Sequence, residues 1–131
     1  MSAMSAVGDP GAASEMAAEA VRTRNHLTLV PPSVGTPGWE DVADLYRVLT
    51  ELRVLTGRLP QAIGQVARHL ERPMCAGYRC DSAATASAGV LVSTAIEALT
   101  LAGAAASECA AKLDVAQGAV GHLAPQPSVA D

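Results

Sequence analysis

The sequence predicts an all-α fold: two long antiparallel helices packed as a hairpin or coiled coil. Three observations predict it. Apolar residues recur by threes and fours over two long stretches, and a short segment rich in turn formers joins them. The apolar content is also unusual in kind. Half of the 131 residues are hydrophobic, yet there is no Phe, one Trp and two Tyr. Globular cores take much of their buried area from aromatic rings. A core of Ala, Leu and Val instead suits helices in close contact, and Ala, Leu, Glu and Arg are good helix formers.

The first helix is expected over residues 37–72. Thr36 offers a cap, Pro37 fits the first helical position, and Glu40 and Asp41 complement the positive end of the dipole. The seam then reads Val42, Leu45, Leu49, Leu52, Thr56, Leu59, Ile63, Val66, Leu70. Arg68 and Arg72 suit the C-terminal end, and Pro73 stops the helix. Pro60 lies inside the pattern, where it removes a backbone hydrogen bond at a cost of about 3 kcal/mol. Because the seam keeps phase across it, one helix kinked near Gly57–Pro60 is expected rather than two.

A loop over 73–80 (PMCAGYRC) leads to a second helix over 81–124, capped by Asp81 or Ser82. Its seam reads Ala88, Val92, Ala95, Leu99, Ala102, Ala106, Cys109, Leu113, Ala116, Val120, Leu123. Its row of Ala88, Ala95, Ala102, Cys109 and Ala116 is small, which permits close backbone approach. Cys109 is expected to serve as a small apolar seam residue. Glu108 and Lys112 make a favourable i,i+4 pair. Gly121 and Pro125 end the helix, leaving 125–131 as a tail.

Residues 1–36 are expected to be a largely disordered N-terminal arm with room for a short helix over 14–24, capped by Ser14. His26–Val30 alternates like a strand, but a lone strand has no partner to pair with.

Two helices cannot cover every apolar residue in these stretches. Val48, Val54, Leu55, Val90, Leu91, Ile96, Leu101 and Val115 all flank the seams. The expected function is therefore a non-enzymatic protein–protein interaction or assembly module. It would present an apolar helical surface through Val54, Leu55, Leu91, Ile96 and Leu101. A homodimeric four-helix bundle is the simplest assembly, and a helical protein partner the other.

Chemistry-bearing residues are sparse. Cys75 and Cys80 form a C-x4-C pair with His69 one turn before it, and no fourth ligand is evident for zinc. A small thiol redox or metal sensor through Cys75 and Cys80 is an alternative. No Glu-x-x-His pair, phosphate-binding glycine loop or paired nucleophile and base occurs, so no catalytic residue, cofactor or metal is expected. With a net charge of −4 and one lysine, Lys112, nucleic acid is not an expected partner. Residues 83–107 carry one charge, Glu97, and are long enough to span a bilayer. Glu97 near the centre and the many Ser, Thr and Ala residues argue against spanning, so a membrane-associated protein is a second alternative. Three cysteines do not make a disulfide framework, and the first residues do not read as a secretory signal. A cytoplasmic location follows as the expectation.

In composition and layout, the segment from Trp39 to Leu123 resembles uncharacterised Ala-rich helical-hairpin proteins of high-GC actinobacteria, a likeness that implies the hairpin and no activity. The layout is also similar to that of the WXG100 proteins, which would imply a secreted hairpin. That family carries W-x-G in the interhelical turn and Y-x-x-x-D/E near the C-terminus. Here Trp39-Glu40-Asp41 precedes the first helix and the second motif is missing, so no functional residue carries over.

Overall fold

The computed structural model describes residues 8–72, 79, 81, 83 and 85–124. Among them it is all-α, with helices α1 (Pro10–Leu27), α2 (Val42–Glu71) and α3 (Ala88–Val120) and no strand. The chain divides into two compact units, Met1–Asp44 and Leu45–Asp131.

In the first unit, α1 corrects the expectation of a largely disordered arm. Its cap is Asp9 rather than Ser14: the Asp9 carboxylate accepts the Gly11 N–H at 2.9 Å, and Pro10 takes the first helical position. Ser14 turns its hydroxyl back onto the Pro10 carbonyl at 2.8 Å. An Asp-Pro start therefore adds a turn that the apolar pattern alone does not mark. His26 and Leu27 end this helix instead of opening a strand.

The segment before α2 is a closed set of turns. Ser33 N–H reaches the Trp39 carbonyl at 3.1 Å, Trp39 N–H reaches the Thr36 carbonyl at 2.9 Å, and the Trp39 indole donates to the Val30 carbonyl at 2.7 Å. Gly35 and Gly38 have φ of 93° and 75°, the left-handed region that glycine enters without penalty. Gly38 thus rules out the expected start at Pro37. The helix begins five residues later, at Val42. Asp41 accepts the Asp44 N–H at 3.1 Å, and the Asp44 carboxylate accepts the Glu40 N–H at 2.9 Å. This reciprocal arrangement satisfies two otherwise orphaned donors.

α2 runs unbroken through Pro60 for 30 residues. The Thr56 carbonyl, which a residue with an N–H at position 60 would bond, goes without that partner. The Thr56 hydroxyl is itself satisfied by the carbonyls of Leu52 and Arg53 at 3.0 and 3.2 Å. Arg68 and His69 occupy the last turn, where cations complement the dipole.

α3 is shorter at its start than the expected 81–124. Ser87 is its cap, accepting the Val90 N–H at 3.3 Å. Asp81 spends its carboxylate on the Ala83 N–H at 3.1 Å, a local turn that competes with capping. Ser82 and the expected loop residues 73–78 and 80 lie outside the described residues. The helix closes at Val120 with Gly121 as C-cap.

Within the second unit α2 packs on α3. Four contacts set the order. The Gln117 side-chain amide donates to the Thr50 hydroxyl. Arg53 Nε stands 3.7 Å from Asp114 Oδ1. A Cβ on Gly121 would lie 3.2 Å from the Tyr46 ring, and one on Gly103 would lie 4.0 Å from Ile63 Cγ2. From Tyr46 through Thr50 and Arg53 to Ile63 the numbers climb along α2, while their partners descend along α3.

The seam departs from the sequence reading in one systematic way. On α2 the half-buried residues follow the expected row through Thr56, then continue as Pro60, Ile63, Ala67 and Leu70, leaving Leu59 and Val66 exposed. On α3 they follow the row to Leu99, then continue as Gly103, Ala106, Ala110 and Leu113, leaving Ala102 and Cys109 exposed. Each helix takes one extra step of four near its middle. A strict seven-residue repeat assumes 3.5 residues per turn, and a straight helix at 3.6 drifts about 20° per heptad away from it. Past the middle of each helix, alternate members of the contact row therefore pass to the neighbouring residue.

Pro60→Ala would restore the hydrogen bond to Thr56, worth up to about 3 kcal/mol less the packing of the lost ring. The variant should unfold at higher urea concentration than the parent, read by circular dichroism at 222 nm.

Candidate interaction surface

Hydrophobic residues in this chain meet each other only in part. Among the described residues the one that is fully buried is polar, Gln117 at 7% exposure, and no large side chain is wholly enclosed. Burial in the second unit is shared among half-buried aliphatic residues along the α2–α3 contact. What remains outside is considerable. On α3, Val90, Leu101 and Val115 are 55%, 65% and 69% exposed.

The five residues singled out from the sequence do not form one patch. Val54 and Leu55 are half-buried on α2. Ile96 is half-buried on α3, in line with Leu99 and Gly103 on the row that meets α2. Leu91 and Leu101 are exposed. At 100° per residue they lie about 80° apart around the helix, so they border two faces. Leu91 belongs to a shallow hollow with Leu70, Ala88, Val92 and Ala95, which Arg79 also lines. Leu101 belongs with Val90 and Val115, all within about 40° of one another.

That outer face of α3 is mixed rather than purely apolar. Glu97, Glu108 and Lys112 interleave with its aliphatic residues. Lys112 lies 3.8 Å from Glu108, the i,i+4 pair expected from the sequence. Both side chains are well exposed, so the pair contributes at most a few tenths of a kcal/mol. Periodicity could have separated the two faces, since Leu91 and Leu101 are ten residues apart and ten is not a helical repeat.

Cys109 is a free, exposed thiol, not the seam residue expected. Cys75 and Cys80 lie outside the described residues, and His69 sits in the last turn of α2. Among the described residues no group of three His, Cys, Asp or Glu side chains stands close enough to hold a metal ion. In the first unit a second shallow hollow is lined by Glu19, Arg22, Thr23, His26 and Leu27, with Glu19 and Arg22 paired at 3.3 Å in solvent.

Helix-on-helix packing in a small all-α chain is the class that these observations define. No protein-family model, no curated protein and no solved structure matches the chain.

Gly103 tests the packing directly. Gly103→Ala places a methyl at ordinary contact distance from Ile63, and the gain in helix propensity should stabilise the protein by about 0.5–1 kcal/mol. Gly103→Leu must force the helices apart and should cost about 1–3 kcal/mol. Urea unfolding of the two variants should move in opposite directions.

Proposed function

We propose that this protein is a non-enzymatic interaction or assembly module built on an antiparallel α2–α3 hairpin that bends near Pro60. It acts by presenting apolar helical surface to a helical partner, for which a second copy in a dimeric four-helix bundle is the simplest choice. One observation carries this reading: large aliphatic residues of α3 stand in solvent while its one fully buried residue among those described is an amide. An aliphatic side chain taken from water to an interior gains roughly 1.5–3 kcal/mol, so Leu91, Leu101 and their neighbours favour any partner that covers them. Association on this model takes place where chains meet in the cell's cytoplasm.

Light scattering coupled to size exclusion should give a mass above the 13.3 kDa of one chain. The double change Leu91→Glu and Leu101→Glu should leave helicity intact and reduce the species to one chain. A parent that is a stable monomer at micromolar concentration sinks the dimer. An assembly that survives the double change sinks the assigned residues.

A second reading has one observation in its favour. Helix α3 is long and apolar enough to cross a membrane by length and composition. Core helices of soluble proteins pass the same test, and three charged side chains on its outer face oppose insertion. Recovery of the expressed chain only in detergent would favour the membrane reading.

A further inference from the structure

The contact between α2 and α3 is largely without directional detail. Along α3 the row that meets α2 is Ile96, Leu99, Gly103, Ala106, Ala110 and Leu113, and along α2 it is Leu49, Leu52, Thr56, Pro60, Ile63 and Ala67. Small and aliphatic groups of this kind fit one another in many alignments. Sliding one helix past the other by seven residues keeps aliphatic against aliphatic and moves the pair by about 10 Å. Apolar contact therefore does little to choose the alignment.

One place does choose. Gln117 is the sole polar side chain on the α3 row, and it is buried, with 7% of its surface exposed. Its amide donates to the Thr50 hydroxyl, and that hydroxyl in turn donates to the Tyr46 carbonyl at 2.9 Å. The relay is flanked on one side by the Tyr46 ring lying against Gly121 and on the other by Arg53 and Asp114. A slip of seven residues in one direction sets Gln117 against Ala43 and Thr50 against Ala110. In the other it sets Gln117 against Gly57 and Thr50 beyond the end of α3. The first offers the amide no polar group of the α2 row, and burying an amide without a partner is costly; the second brings it beside Thr56 but parts Arg53 from Asp114 and leaves the start of α2 beyond the end of α3.

We propose that the Thr50–Gln117 hydrogen bond, with its amide buried, is a register lock. It selects one alignment of α2 on α3 and latches the end of the pair remote from the connection between them. A single polar residue at a seam position is known to set register in coiled coils at some cost in stability. Here the arrangement is antiparallel and within one chain. The lock does not depend on the interaction role proposed above, because it acts inside one copy.

The test is a distance measurement by electron paramagnetic resonance on the full chain. Cys75, Cys80 and Cys109 are changed to Ser, and spin labels are attached through Gln65→Cys and Lys112→Cys, both at exposed positions. Labelled protein is diluted into unlabelled protein, so that only distances within one copy are read and any dimer is silent. The parent should show a single narrow distance. Thr50→Val with Gln117→Leu should keep helicity and thermal stability equal to or above the parent. Its distance distribution should gain a second population, displaced by up to about 10 Å along the helix axis.

A single narrow distance at the parental value in that helical variant overturns the lock. If the variant loses its helicity, the polar residue is moved instead, by Gln117→Ala with Ala110→Gln, and Thr56→Val removes the hydroxyl that stands opposite position 110 in the parental alignment. The relocated amide meets Thr50 only after a slip of seven residues, so the distance should shift as one population. Retention of the parental distance by that chain overturns the proposal as well.

Discussion

Ile63 comes within reach of Gly103 because no side chain stands between them, and that close approach conditions the rest of the second unit. A long α3 whose contact row is Ala, Gly and Leu has little volume to bury. It can make a packed layer with α2 only by bringing backbones near each other. The larger residues of α2, among them Leu49, Leu52 and Ile63, then fill the space. Two helices packed in this way share one narrow strip. Aliphatic residues off the strip have nothing to lie against, which is why Val90, Leu101 and Val115 remain in solvent.

The same poverty of shape explains the role of polar groups. Interlocking large side chains set alignment by steric fit. A strip of small side chains has little fit to offer, so alignment falls to groups with direction. Thr50, Gln117, Arg53 and Asp114 all lie within about two turns of one another, toward the start of α2 and the end of α3. Of these the Arg53–Asp114 ion pair is partly exposed and contributes about 1 kcal/mol or less. The buried amide is different in kind, because its alternative is to be left without a partner.

Much of this was legible before any coordinates. The helical class, two long helices and a packing row of small residues all follow from periodicity and composition. Three things were not. Alternate members of each row pass to the neighbouring residue because a straight helix drifts from a seven-residue repeat, and the drift accumulates over a helix of 33 residues. Helix starts were misplaced wherever several capping residues compete. Thr36-Pro37 reads as a start, yet Gly38 sits in the left-handed region and hands the cap to Asp41. Gln117 was missed altogether. It lies next to Ala116 on the expected row, and only the drift of the contact line brings it inward.

That last miss bears on how the surface residues should be read. From the sequence alone, an apolar residue off the row is a candidate for the interaction surface. Ile96 is half-buried beside Ala95 on the strip facing α2, while Leu59 and Val66 stand exposed. The faces open to a partner are therefore the outer side of α3, through Val90, Leu101 and Val115, and the hollow around Leu91. The first mixes aliphatic residues with Glu97, Glu108 and Lys112. A partner for that face has to meet charge as well as apolar area, which favours a soluble helix over lipid, since a helix can offer side chains that pair with those charges and a hydrocarbon layer cannot.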